Sequence, residues 1–258
     1  MSTAASENRS LEAPTASAVW SVLFLVVIAG ACWAVTVERM QGMDMGPGTD
    51  LGRLRWFAVV WVTMMAAMML PSLSPMAVAC SRGAGGRARS ISRTAAVSAG
   101  YLMCWVVFGM LAYALVEGVR SLELDFLALS RAGRYFVGGV LLGAALYELT
   151  TAKGKCLRHC RDSRLLRRRP GGTGALVMGL EQGGFCVGCS GALMAALFAL
   201  GVMSIPWMLV IAALVAIEKL LPWTVIAIGA TAAALALLGM AVVFVPDQVP
   251  WLTIPMSM

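Results

Sequence analysis

The sequence predicts an all-α, polytopic transmembrane helical bundle of about seven spans (six to eight), with a cytoplasmic N-terminus. Three observations carry that expectation. Of the 258 residues, 60% are hydrophobic and 13% charged, with a mean hydropathy of +0.82, whereas a soluble domain carries about 25% charged residues. Apolar runs near the roughly 20 residues that a helix needs to cross the hydrocarbon core recur along the chain, and none alternates as a barrel strand would. Twelve of the 20 lysines and arginines lie in segments 71–94 and 152–173, the bias that marks cytoplasmic loops. The formal charge of +7 is therefore topological, and no nucleic-acid partner is expected. The partner set by composition is the lipid bilayer.

In chain order, residues 1–17 are small and polar and read as a disordered tail. A single transmembrane domain follows over 18–245, then a short proline-containing tail over 246–258. The first span, Val19 to Val37, is too continuous for a cleaved signal core and reads as an uncleaved helix. A glycine-rich outer loop carries Met40, Met43 and Met45 around Asp44. The second span, from about Leu54 to Leu70, stops at Pro71. A basic loop precedes a third span over 95–116, a loop of mixed sign follows it, and the most basic segment follows a fourth span over 135–151. Segment 174–202 is long for one crossing, and Gly183-Gly184 near its middle predicts a bend or break there. Ser204 and Pro206 have the types of an N-cap and a first-turn proline for the sixth span. The seventh runs from about Trp223 to Phe244.

The chemistry concentrates in Glu181-Gln182-Gly183-Gly184-Phe185-Cys186-Val187-Gly188-Cys189, polar and soft groups inside an apolar span, where such groups are costly and count as functional candidates. Cys186 and Cys189, three apart, present both thiols on one helix face. Thiolates and thioethers select Cu(I), zinc or iron–sulfur clusters over hard cations. The same spacing also suits a redox pair, and the surrounding small residues also suit plain helix packing. Met64, Met65, Met68 and Met69 form a thioether stripe with Trp61 on the same side; gap-filling methionine is the competing account. Met194 adds a thioether beyond the cysteines.

Cys156 and Cys160 sit with His159 in the most basic segment. A straight crossing from Gly174 puts Cys186 about 18 Å deep at 1.5 Å per residue, leaving Cys160 behind in the loop, so one site shared by both pairs is not the favoured expectation. Among carboxylates, Glu218 reads as an interfacial pair with Lys219, and Glu148 can meet Lys153 or Lys155. Glu181 lacks a partner nearby in sequence and reads as the charge partner of a bound ion. There is no Ser/His/Asp arrangement, no phosphate loop, and His159 is the sole histidine, so an enzyme is not the first reading.

Taken together, Trp61, Met64, Ala67-Met68-Met69-Leu70-Pro71-Ser72, Tyr147, Lys153, Cys156, Cys160, Cys186-Val187-Gly188-Cys189, Met194, Gly201-Val202-Met203-Ser204 and Glu218-Lys219 resemble a bacterial family of predicted metal-binding integral membrane proteins, long held as a domain of unknown function. The resemblance covers about residues 55–220 and implies a multi-pass protein of the inner (cytoplasmic) membrane with a metal site. Members often carry cysteine where this chain has Ser190 and asparagine where it has Ser204, so a cysteine-only site is less expected here.

Three functions follow as expectations. The first is a membrane protein handling a soft ion, Cu(I) before zinc, through Met64, Met65, Met68, Met69, Cys186, Cys189 and Met194 with Glu181 as counter-charge, for transport or delivery to a membrane cuproenzyme. The second is an accessory or assembly subunit of a membrane complex. The third is a thiol–disulfide oxidoreductase using Cys186 and Cys189.

Overall fold

In the computed structural model, residues 16–40, 53–81, 86–121, 132–161, 171–201, 204–221 and 223–245 are described, and among them the chain is helical with no strand. The helices are α1 (Ala16–Met40), α2 (Leu54–Met69), α3 (Ser74–Ser81), α4 (Arg87–Ser121), α5 (Ala132–Glu148), α6 (Thr151–Arg161), α7 (Gly172–Gly201), α8 (Ile205–Leu220) and α9 (Thr224–Phe244). A 3-10 turn, Leu70–Leu73, joins α2 to α3, with Pro71 in its first turn.

Five stretches are long and apolar enough to cross a membrane: Ala16–Met40, Leu54–Ser81, Arg87–Gly118, Gly172–Gly201 and Thr224–Phe244. The bent pair α5–α6 makes a sixth if it counts as one span. The remaining candidate of the expected seven is α8, whose 16 residues rise about 24 Å, short of the roughly 30 Å hydrocarbon core. Leu111, Leu115, Val225, Ile226 and Leu237 are exposed on the outside of the bundle. Apolar groups facing outward in such number suit lipid rather than water.

Three local expectations need correction. Segment 174–202 does not break at Gly183-Gly184; α7 runs unbroken from Gly172 to Gly201, because a helix tolerates glycine when neighbours pack against it. The sharp bend lies elsewhere, 67° between α5 and α6 at residues 149–150. The basic segments 71–94 and 152–173 are also not simply loops. Arg87, Arg89 and Arg93 open α4, where the Arg87 guanidinium lies 3.5 Å over the Trp20 ring, and Lys153 to Arg161 form α6. The 1–15 and 246–258 tails, and Met43, Asp44 and Met45, lie outside the described residues.

The heart of the bundle is α7, packed most extensively on α4 and also on α5, α6 and α8. Close approach of α4 requires the missing side chain at Gly183: a Cβ there would stand 2.8 Å from the Tyr101 carbonyl oxygen and 3.0 Å from Cys104 Sγ. Small residues at helix crossings serve this purpose where lipid offers no hydrophobic drive. α2 packs chiefly against α1 and α4. Its Trp61 donates its indole N–H to the Trp105 carbonyl at 2.7 Å, and its ring lies among Phe57, Phe108 and Phe198. Trp61 is thus an aromatic anchor of the core.

Candidate metal centre

Helical periodicity brings the site together. On α7, Gln182, Cys186 and Cys189 follow i, i+4, i+7 spacing and all are buried, so they form one stripe along one face. On α6, Cys156 and Cys160 form one stripe, and Lys153, Leu157 and Arg161 form the next. The 67° bend turns α6 back onto α7. A Cβ at Gly188 would stand 2.8 Å from Cys156 Sγ, so that glycine is what lets α6 come close.

The result is a cluster in which the sulfurs of Cys160, Cys186 and Cys189 all lie within 4.8 Å of one another. This corrects the expectation that Cys160 stays behind in a loop. The straight-crossing argument failed because residues 151–161 fold back as a helix instead of leaving the bundle. Cys186 and Cys189 are fully buried, and Cys160 is partly so. Gln182 reaches Cys160 with its amide, hydrogen-bonding the backbone carbonyl and approaching Sγ at 3.4 Å. Cys189 Sγ donates to the Cys186 carbonyl at 3.3 Å and lies 3.4 Å from Ser190 Oγ.

Two further elements close on Cys186. The Tyr101 hydroxyl, from α4, lies 2.9 Å from its sulfur. Lys219 Nζ, from α8, lies 3.0 Å from the same sulfur, 3.3 Å from Ser72 Oγ and 3.8 Å from Met69 Sδ. The stop at Pro71 is what positions Met69 and Ser72 here, since the 3-10 turn carries the chain past the end of α8. Lys219 therefore does not pair with Glu218 as the sequence suggested. Adjacent residues on a helix point about 100° apart, so each seeks its own partner across the bundle.

Glu218 meets Lys153, whose Nζ donates to both carboxylate oxygens at 2.8 and 2.7 Å. The same ammonium lies against Glu148, as expected for that carboxylate. All three groups are buried. At the other end of α6, the Arg161 guanidinium donates to the Leu221 carbonyl at 2.9 Å and Thr224 Oγ1 at 2.8 Å. The helix carrying Cys160 is thus held at both ends against α8 and the start of α9.

The other expected site residues fall in different places. Met64, Met65, Met68 and Met69 are all buried in the core, and Met69 Sδ lies against Lys219 Nζ. Met194 is fully buried on α7. Glu181 is half-buried and stands outside the thiol cluster. His159 packs tilted against Phe185 with ring centroids 3.7 Å apart. Lys219, Tyr101 and Gln182 were not singled out as site residues from the sequence. A lysine in an apolar run beside a glutamate was the available signal, and its neighbour offered too simple an explanation.

Three thiolates around one soft ion, at sulfur–metal distances of about 2.3 Å, stand about 4 Å apart. The cluster meets that spacing with little movement. Fold and site together define a helical, membrane-type protein with a buried soft-ligand centre. Residues 58–242 match the PpoB2 family, described as a copper chaperone, and the chain belongs to that family. The match bears out the metal side of the resemblance, names copper, and extends beyond residue 220 into α9. Neither the curated proteins nor the solved structures contain a match.

Proposed function

We propose that this protein binds Cu(I) at Cys160, Cys186 and Cys189 within the membrane and passes it to a membrane cuproenzyme. The observation that carries the reading is the convergence of three thiols from two helices within 4.8 Å, in a chain of a copper chaperone family. Soft thiolate donors suit Cu(I), and binding releases the thiol protons. With a cytoplasmic N-terminus, the crossings of α1, α2–α3, α4 and α5 put the C-terminal end of α6 toward the cytoplasmic side of the inner membrane. Cys160, the least buried of the three, is then the ligand nearest that face and the natural first contact for an arriving ion. Met69, 3.8 Å from the ammonium that also touches Cys186, is the thioether assigned to assist, with the rest of the stripe and Met194 buried in the same core.

The test is anaerobic purification followed by Cu(I) titration against a chromophoric chelator and X-ray absorption at the copper edge. The expected outcome is about one copper per chain with sulfur neighbours at about 2.3 Å. Cys160→Ser, Cys186→Ser and Cys189→Ser should each weaken binding at least about tenfold, since each removes a donor that serine replaces poorly for a soft ion. Cys32→Ser, a cysteine outside the cluster, should leave binding unchanged. Wild-type protein that takes up no copper would sink the reading.

A second reading, thiol–disulfide exchange, is supported by the same proximity of Cys160 to Cys186 and Cys189. A redox titration that finds no reversible disulfide among the three excludes it.

A further inference from the structure

We propose that Lys219 is a selectivity residue, a fixed positive charge that biases the thiol cluster toward a monovalent soft ion, Cu(I), over a divalent one, Zn(II). The inference rests on the copper reading above and adds a residue and a discriminating principle to it.

The ammonium of Lys219 is buried and aimed at the site, 3.0 Å from Cys186 Sγ. Ser72 Oγ and Met69 Sδ, which it also approaches, carry no charge. The carboxylate next to it in sequence, Glu218, is held by Lys153 together with Glu148. A cation in such a place needs a counter-charge, and the sulfur in its metal-binding thiolate form is the one at hand. An incoming ion must therefore share Cys186 with a standing positive charge. Repulsion between the two scales with the charge of the ion, so a divalent ion meets twice what a monovalent one meets.

The donor set points the same way. Zinc in a closed protein site takes four ligands in a tetrahedron. The described histidines, cysteines and carboxylates within ligand reach of one another here are the three thiols alone. Among the described residues, the polar side-chain groups that approach those sulfurs are the Lys219 ammonium and the Gln182 amide N–H, which only donate hydrogen bonds, and the Tyr101 and Ser190 hydroxyls, which as neutral oxygens are weak ligands beside thiolates. Three sulfurs with an ammonium beside one of them favour a three-coordinate ion of low charge.

The experiment uses the full chain in detergent under anaerobic conditions. Cu(I) and Zn(II) affinities are measured by chelator competition for wild type, Lys219→Leu, Lys219→Gln and Lys219→Arg. The expected result is that both neutral variants move the Zn(II)-to-Cu(I) affinity ratio toward zinc by at least about tenfold, the scale a fixed unit charge a few ångströms away supplies even when well screened. Lys219→Arg keeps the charge and stays near the wild-type ratio. A ratio unmoved in whichever neutral variant folds, with copper still bound, overturns the role of Lys219 and leaves the copper reading intact. An arginine variant that shifts as far as the neutral ones overturns it too, since charge is then not the determinant. Failure of wild-type protein to bind Cu(I) at all is a different result and brings down the copper reading itself.

Discussion

Glu218 and Lys219 are consecutive on α8, carry opposite charges and are both buried, yet their surroundings have nothing in common. Glu218 belongs to a closed arrangement in which one ammonium, that of Lys153, answers the carboxylates of Glu148 and Glu218. Every member is an ordinary charged group with an ordinary charged partner. Lys219 belongs to an open arrangement, an ammonium facing a sulfur, a hydroxyl and a thioether. The closed set joins the end of α5, the start of α6 and the end of α8, so it fixes the bend that brings Cys160 to Cys186 and Cys189. The open one stands at the cluster itself. The difference teaches that buried charge in this bundle serves two purposes, holding the helices that frame the thiols and tuning what the thiols can bind.

Removing Lys153 is the most severe way to break that contrast. Lys153→Met leaves two buried carboxylates with no cation, and losing one partner of a buried pair costs about 3–5 kcal/mol. The expected outcome is a large fall in the melting temperature of the detergent-solubilised protein, with Cys160 opening to alkylation as α6 loosens. Lys219→Met should cost clearly less, because the group it leaves behind is a thiol that is neutral once protonated. Thermal scans of the two variants side by side decide the matter. Equal losses, or a greater loss at Lys219, would show that both lysines are structural.

How much of this was legible beforehand follows from the range of each signal. The helical class and most span positions were readable, because hydropathy over about 20 residues is a property of local sequence. So was the one-face placement of Cys186 and Cys189, which needs helix periodicity alone. The meeting of Glu148 with Lys153 was readable because five residues separate them. What could not be read was every contact made by the fold-back of α6. The basic residues of 152–173 dominate its composition and mark it as a loop, while Lys153 and Leu157, which face inward, are too few to outweigh them. The pairing of Lys219 with Cys186 spans 33 residues and two helices, so no local pattern announces it. Gly188 was among the small residues read as suiting helix packing, and it does admit α6; Gly183 was read as a bend or break, and the unbroken course of α7 there depended on the neighbour it admits.

Glu218→Gln probes the closed arrangement more gently. Lys153 keeps Glu148, and the amide still offers an oxygen to the ammonium, so the expected loss is about 1–3 kcal/mol, the cost of weakening a buried charged hydrogen bond. Copper stoichiometry should stay as in wild type, because Glu218 touches no thiol. A melting scan combined with a copper titration reads both. Loss of copper in a variant that is otherwise stably folded would move Glu218 from the frame to the site and dissolve the distinction between the neighbours.

The smallest expected effect concerns the methionines of α2, and it asks how far the open arrangement extends. Met69 and Met64 are both fully buried, but Met69 Sδ lies 3.8 Å from Lys219 Nζ, whereas Met64 stands five residues earlier on α2, about 7.5 Å back along the helix axis. Leucine conserves volume, so either change to leucine costs about 1.5 kcal/mol or less and leaves the bundle assembled. Any difference between them in copper binding then reports on the sulfur atom rather than on packing. Met69→Leu is expected to lower Cu(I) affinity about three- to tenfold, equivalent to at most about 1.4 kcal/mol, and Met64→Leu to leave it unchanged, both measured against the same chelator. Equal losses in the two would mean that the stripe acts as a unit and that the ion's path runs the length of α2. No loss in either would confine the site to the three thiols and Lys219, with the methionines serving the core alone.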